Sequence, residues 1–506
     1  MKKNIALTNI ITSMLLQLTT IAYGFLIPKI IISTFGSEVN GLISSISQLL
    51  SYISLIEGGI AAVVTARLYG PLVKGKKKEI QTVINTSTRF FRKIGLIFIV
   101  YSTVLAFVAP LIYVKDGFDY GYIFTLTLIL SIGLLIQYMT SLSLKCLLQA
   151  DKKVFFVSIT QIAILLSNIS LAFLSVKIYP EIHLLKLLTS VTYIIQPILY
   201  RFYIKKHYEL SKTKEEDKKL LADRWSGFAN NLAYFIHSST DITVLTFLTN
   251  LVTVSVYSVY SLVMAGLKSL LGAINTGVFA SLGHLYALGD YKKLEKKFNQ
   301  YEALYLFLVF FCFTLASLLI TPFVLLYVAD ANVGNMYMQP VFGYLMVLAV
   351  LLDLIKSPHI YLAYAANKFK DMMKPCFVEA GINIVVSIIL VLRFGLIGVA
   401  IGTIFAMLYR LIYQISLSKK IMHLRQIKTY RTIALLMIPL VLSVLLCNLL
   451  FKINFQQLTV VVWIKHAIMY GVVSALIFSL FGLCFFRESI TTVIKKTGKM
   501  IKHKKR

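Results

Sequence analysis

Long apolar runs separated by short polar segments dominate the chain. A helix needs about 20 apolar residues to cross a hydrocarbon core. Fourteen runs meet that length: 7–34, 42–66, 94–114, 121–144, 154–176, 184–204, 226–249, 251–280, 303–328, 338–364, 375–392, 395–417, 433–451 and 460–485. They predict an all-α polytopic membrane protein. Two pairs form tight hairpins, 226–280 turning at Asn250 and 375–417 turning at Arg393-Phe394-Gly395.

The segments between the runs carry charge unevenly. With the N-terminus inside, one set of loops comprises Lys2 and Lys3, 67–93, 145–153, 201–225, 284–302, 365–374, 418–432 and the tail from 487; it holds 41 of the 51 Lys and Arg. The opposite loops hold Lys115, Lys177, Arg393 and Lys452, and six basic residues lie within runs. Positive charge collects on the cytoplasmic side of membrane proteins. The reading is therefore a multi-pass protein of a cell membrane with both termini cytoplasmic and an even number of spans.

Composition removes the soluble alternatives. Of the 506 residues, 58% are hydrophobic and 14% charged, against about 25% charged in a globular domain. The net charge of +30 suggests nucleic acid in isolation, but topology and attraction to anionic lipid account for it. Lys2 and Lys3 precede a run too long for a signal-peptide core and without a small-residue cleavage site, so a retained first span is expected. The external loops are short, which leaves little room for an external catalytic domain.

The chain also repeats itself. Leu68-Tyr69, then Lys76-Lys77-Lys78, then a run ending Pro110-Leu111-Ile112-Tyr113-Val114 parallels Leu285-Tyr286, then Lys292, Lys293, Lys296 and Lys297, then a run ending Pro322 to Val328. Ala150-Asp151-Lys152-Lys153 leads to Asn168, as Ala366-Asn367-Lys368 leads to Asn383. Two six-span halves of the same orientation would be parallel repeats, which place a substrate site between them.

Familiar chemical motifs fail. Gly70 to Lys77 matches GxxxxGK, but Lys77 stands where a Ser or Thr is needed and the segment follows a membrane helix. The eight His are scattered, and the five Cys (Cys146, Cys312, Cys376, Cys447, Cys484) form no CxxC. No cofactor or metal is expected. Gly398 and Gly402 form a GxxxG that helix packing explains.

Ionisable residues inside the runs are costly and point to function. Lys29 follows Pro28, and Glu57 precedes Gly58-Gly59. Asp241, Lys268, Asp353, Lys356, Glu379 and Arg410 lie in spans seven, eight, ten, ten, eleven and twelve. Lys268, Lys356 and Arg410 each fall roughly 22–27 Å past the external end at 1.5 Å per residue, a depth at which a shared vestibule attracts an anion from the cytoplasm. Plainer readings stand beside this one. Arg410 can snorkel, Asp353 and Lys356 can neutralise each other at i,i+3, and Asp241 and Glu57 serve either as polar helix contacts or as sites for a coupling cation. Lys268 has no acid within a turn. Lys186 and Lys465 lie near external ends and reach the interface.

Three stretches carry a family likeness. The first runs from Gly36-Ser37-Glu38-Val39-Asn40-Gly41-Leu42 through Leu55-Ile56-Glu57-Gly58-Gly59-Ile60 to Leu68-Tyr69-Gly70-Pro71-Leu72. The second is Thr240-Asp241-Ile242 with Val254-Ser255-Val256-Tyr257-Ser258-Val259-Tyr260. The third spans Ala366-Asn367-Lys368-Phe369-Lys370, Glu379, Asn383, Gly395 to Val399, Gly402-Thr403 and Tyr409-Arg410. Together they resemble Wzx-type polysaccharide flippases of the multidrug/oligosaccharidyl-lipid/polysaccharide (MOP) exporter superfamily. The likeness covers the first twelve spans and departs at Asn367, where a Gly-His-like pair is expected before Phe-Lys.

The resemblance implies two six-helix lobes in a MATE/MurJ-like V around a cationic cavity, plus two C-terminal helices whose groove holds an isoprenyl tail. It divides the chain into an N-lobe (1–204), a basic cytoplasmic linker (205–225), a C-lobe (226–417), two further spans (418–486) and a basic cytoplasmic tail (487–506). It implies a non-enzyme that moves undecaprenyl-diphosphate-linked oligosaccharide repeat units across the bacterial cytoplasmic membrane by alternating access, for capsular or exported polysaccharide. Lys29 and Lys268 would hold the diphosphate, with Lys356 and Arg410 as secondary contacts. Glu57 and Asp241 would bind or relay a coupling sodium ion or proton. Gln137, Tyr138, Gln161, Asn168, Asn230, Asn231 and Asn275 would line a path for sugar. Partners would be anionic lipid, glycosyltransferases and a polymerase. The alternatives are a cation-coupled small-molecule or multidrug exporter of the same superfamily and a polytopic polysaccharide polymerase or ligase.

Overall fold

The computed structural model describes residues 2–57, 59–209, 213, 215, 217, 235, 239–331, 333–424 and 428–485. Among them there is helix and no strand. The principal helices are α1 (Lys2–Phe35), α2 (Ser37–Ser51), α3 (Ile60–Val73), α4 (Lys77–Tyr113), α5 (Tyr120–Thr140), α6 (Leu142–Ala150), α7 (Val154–Ile178), α8 (Ile182–Val191) and α9 (Ile195–His207). There follow α10 (Ser239–Leu248), α11 (Leu251–Ala287), α12 (Tyr291–Tyr327), α13 (Pro340–Ala365), α14 (Phe369–Phe394), α15 (Leu396–Ile421), α16 (Thr429–Leu450) and α17 (Val460–Phe485).

Thirteen helical segments among the described residues are long and apolar enough to cross a membrane. They correspond one to one with thirteen of the fourteen runs. The remaining run, 226–249, lies largely outside the described residues; its described part is the apolar helix α10. The basic tail from 487 and most of 205–225 also lie outside them. Large apolar side chains on the helix surfaces, such as Leu449, Val461 and Leu111, are exposed, as lipid-facing residues are.

Several helices exceed their apolar runs. α4, α11 and α12 each have 37 residues, which is about 55 Å at 1.5 Å per residue and longer than the roughly 30 Å hydrocarbon core. Segments that read as basic loops, 77–93 and 291–302, are their continuations. Charge lowers hydropathy there without breaking the helix, because Lys, Arg and Glu are good helix formers. The second run is conversely broken: α2 ends at Ser51, a single turn Ser54–Glu57 follows, and Gly59, with φ 79°, leads into α3.

The contacts divide the chain into two compact units, Met1–Ser258 and Val259–Arg506. In the first, α2 packs on α10 and the start of α11 through small polar groups. Asn40 donates to Ser255 Oγ (2.7 Å), Ser45 and Thr246 share a hydrogen bond of 2.7 Å, and Tyr52 pairs with Thr243 at 2.8 Å. A β-carbon at Gly41 would overlap the Leu251 carbonyl, so only glycine permits this approach. In the second unit, α14 and α15 join at Gly395 (φ 53°) and pack along Gly398 and Gly402, where a β-carbon would meet the Leu390 carbonyl and Ser387. α16 and α17 attach to α12: Trp463 Nε1 donates to the Leu319 carbonyl at 3.4 Å, and Leu318, Cys447 and Tyr470 form a buried cluster.

The two units repeat local detail. Gly75 (φ 64°) and Gly289 (φ 69°) each precede a 37-residue helix that ends in Tyr, at Tyr113 and Tyr327. Lys152 (φ 60°) and Asn367 (φ 57°) each adopt the left-handed conformation after a helix end, the usual C-terminal stop. Sixteen residues further on, buried Asn168 accepts from Thr192 Oγ1 at 2.5 Å and buried Asn383 donates to Thr403 Oγ1 at 3.0 Å.

Candidate functional site: the embedded charges

The second unit gathers most of the embedded charges. Asp353 and Lys356 share a face of α13 at i,i+3 spacing. The Lys356 ammonium lies 3.0 Å from Asp353 Oδ1 and 2.7 Å from Glu379 Oε1 on α14. Glu379 Oε2 faces Arg410 Nε of α15 at 3.7 Å, and Arg410 Nη1 also donates to the Met372 carbonyl at 3.1 Å. The Gln414 amide oxygen completes the guanidinium's partners at 3.0 and 3.1 Å. At the other end, Lys268 of α11 pairs with Asp353 Oδ2. The result is a chain of alternating charge, Lys268–Asp353–Lys356–Glu379–Arg410, linking four helices.

Exposure along this chain is graded. The Lys356 and Arg410 side chains are 5% and 2% exposed, whereas that of Lys268 is 46% exposed. A buried ion persists only with good partners, and these two cations have them. Arg410 points into the helix packing and does not snorkel. Lys268 finds on α13 the acid that its own helix lacks. It is the cation of the three that open space reaches.

The acids of the first unit are held differently. Glu57, at the end of the helical turn before Gly59, accepts from the Tyr138 hydroxyl at 3.2 Å. Asp241, in α10, is buried and accepts from the Tyr257 hydroxyl of α11 at 2.7 Å. Lys29 is half-buried in α1, one residue beyond Pro28. Of the polar residues expected to line a sugar path, Tyr138 serves Glu57, Gln137 bonds back to the Gly133 carbonyl, and Asn168 ties helices together. Gln161 is half-buried. Asn230, Asn231 and the side chain of Asn275 lie outside the described residues.

One buried cluster escaped the sequence. Glu302 Oε1 lies 2.9 Å from His359 Nε2 and accepts from Thr429 Oγ1 at 2.6 Å; His359 Nδ1 is 2.9 Å from Ser418 Oγ. Glu302 and His359 are almost wholly buried, and they pin the first turn of α16 to α12, α13 and α15. Glu302 sits in a stretch that reads as a basic loop. The usable signal was its place on a helical continuation of an apolar run.

Two further features bear on ligands. An apolar groove of about 230 Å³ between α12, α13 and α16 is lined by Phe313, Tyr344, Val347, Met437, Val441 and Val444, among others. No group of three or more His, Cys, Asp or Glu among the described residues is arranged to hold a metal ion.

The arrangement of the helices is similar to that of solved membrane proteins. The fold is similar to that of the lipid II flippase MurJ in an inward closed conformation (TM-score 0.71, 17% identity, 95% of this chain and 99% of that chain covered). It is also similar to an inward-facing multidrug resistance MATE family transporter of the MOP superfamily (TM-score 0.67, 12% identity, 80% and 96% covered). A third likeness is to the MATE multidrug transporter DinF-BH (TM-score 0.61, 16% identity, 84% and 97% covered). No family model and no curated protein matches the chain. The protein is thus an all-α, multi-pass membrane protein with the MurJ/MATE fold.

Proposed function

We propose that the chain is a lipid-linked oligosaccharide flippase of the MOP superfamily, of the Wzx type, and not an enzyme. It would carry isoprenyl-diphosphate-linked repeat units across the bacterial cytoplasmic membrane with both termini in the cytoplasm. The observation that carries this reading is the ion-pair chain ending in half-exposed Lys268. A diphosphate bears about two negative charges and needs charge-assisted partners to leave water. Lys268 offers one, with Asp353 as its resident counter-ion. An arriving diphosphate displaces Asp353, whose charge Lys356 continues to balance. Lys356 and Arg410 thereby act as a fixed positive background, and Lys29 supplies a second contact. The groove beside α16 suits an apolar tail. Coverage adds support: the MurJ likeness extends over 95% of the chain and the first MATE likeness over 80%, a difference large enough to hold α16 and α17. In this reading Asp241 and Glu57, held by hydroxyls, take up a coupling cation or proton.

The test is leaflet transfer of a fluorescent isoprenyl-diphosphate oligosaccharide in proteoliposomes. Transfer above that of empty liposomes, abolished in Lys268→Ala with the fold intact, is the expected result. Normal transfer in that variant would remove Lys268 from the mechanism. The MATE likenesses favour a second reading, a cation-coupled exporter of small molecules. Drug efflux without transfer of any lipid-linked sugar would select it.

A further inference from the structure

Two polar pockets lie at the basic ends of the helices, one in each unit, and they are neutralised differently. The first, about 600 Å³, is lined by Arg67, Lys78, Glu215 and Asp217, among others. Here the chain supplies its own anions. Arg67 pairs with Asp217 at 3.0 Å and Lys78 with Glu215 at 2.6 Å, and Lys77 just beside them pairs with Glu209 at 2.5 Å.

The second pocket, about 290 Å³, is formed by the end of α11, the turn between α13 and α14, and the end of α15. Its polar lining is Tyr286, Lys368, Asp371, Tyr413, Lys420 and His423. Among the described residues no carboxylate pairs with Lys368 or Lys420. The two ammonium groups offer six donors and no acceptor. Tyr413 has committed its proton to the Asp371 main-chain carbonyl at 2.8 Å, and the Asp371 carboxylate is the one acid in the lining. Lys368 and Lys420 against the single Asp371 carboxylate leave one net positive charge among these three. His423 is held by an edge contact to Tyr291 (centroids 4.6 Å apart). Two buried apolar residues of α15, Leu417 and Ile421, complete the wall.

From this surplus of donors beside an apolar wall, we infer that the pocket binds the phosphate headgroup of an acidic phospholipid, in the leaflet that faces the basic loops. The phosphate oxygens accept from Lys368 and Lys420, and the glycerol end rests on Leu417 and Ile421. The first pocket needs no such ligand because its connector already fills that role. The inference is independent of the flippase reading.

Native mass spectrometry of the full-length protein in detergent tests it, with phosphatidylglycerol, phosphatidylcholine and inorganic phosphate added separately. Phosphatidylglycerol is retained in preference to phosphatidylcholine. The double variant Lys368→Gln/Lys420→Gln weakens that retention about tenfold or more, since each basic residue near an acidic headgroup contributes roughly fivefold. Asp371→Asn, which keeps the carbonyl used by Tyr413, strengthens it. Lys452→Gln, far along the chain in another loop, leaves it unchanged. Retention of phosphatidylglycerol that is indifferent to the double variant and to Asp371→Asn overturns the site. Binding of inorganic phosphate without phosphatidylglycerol overturns the lipid as occupant.

Discussion

The two units share a framework and differ in how they keep charge inside it. Both place a left-handed glycine before a 37-residue helix, both turn in the left-handed conformation at Lys152 or Asn367, and both fasten a buried Asn to a Thr on a later helix. In the second unit the embedded acids answer to cations from other helices, with Glu379 between Lys356 and Arg410. In the first, Glu57 and Asp241 accept from Tyr138 and Tyr257. An ion-pair chain resists change, because removing one member strands another charge in a dry place. A carboxylate held by a hydroxyl, as Glu57 is, can admit a cation without breaking a buried pair. The same local framework therefore holds embedded acids in two ways, by cations in the second unit and by tyrosine hydroxyls in the first.

The largest expected effect comes from breaking the chain of pairs. Glu379→Ala leaves Lys356 and Arg410 short of their shared acid, and loss of one partner of a buried pair costs about 3–5 kcal/mol. Thermal unfolding in detergent should show a large drop. Glu57→Ala in the first unit should cost about 1 kcal/mol, the scale of one hydrogen bond; equal losses would erase the contrast.

Next comes the close approach of α2 to α11. Gly41→Val drives a side chain into the Leu251 carbonyl and is expected to cost about 1–3 kcal/mol, as overpacking does. Unchanged unfolding would mean that the helices part easily there. Asn168→Ala and Asn383→Ala sharpen the shared side of the comparison. Each removes one buried hydrogen bond, so each should lower stability by about 1–2 kcal/mol, and by similar amounts if the two residues do the same work.

The smallest effect is at the connector. Lys77 beside Glu209 holds that carboxyl below its usual range, chiefly through a hydrogen bond. A depressed carboxyl contributes stability that is present above its unfolded pKa and lost as pH falls through the folded one. Protease cleavage next to Glu209 should therefore speed up as pH drops through the acidic range, and with added salt. Cleavage indifferent to both would show that the Lys77–Glu209 contact does not hold that residue.

Much of the fold was legible because crossing a membrane imposes one length and one chemistry. The hairpin turns at Asn250 and Gly395 were marked by residue type. What escaped was of two kinds. Helices such as α4 and α12 continue past their apolar runs, and hydropathy stops where charge begins although the helix does not. Partners across helices also escaped. Nothing local to Lys268 points to Asp353, and Glu302 beside Lys296 and Lys297 resembles any acid in a basic loop until α12 brings it to His359 and Thr429. Arg410 lies on α15, the helix that matches run 395–417, but only tertiary packing shows that it turns inward toward Glu379 and Gln414.

The hairpin of α14 and α15 has a consequence for biogenesis. Gly395 alone separates Phe394 from Leu396, and Gly398 and Gly402 let the two backbones touch. Such a pair has no linker on which one helix can wait for the other. It is expected to leave the ribosome and partition into lipid as a single object, with Arg393 beside its tip. Lengthening that turn would uncouple the two halves, and the delay would be read in the order of insertion before any change in activity.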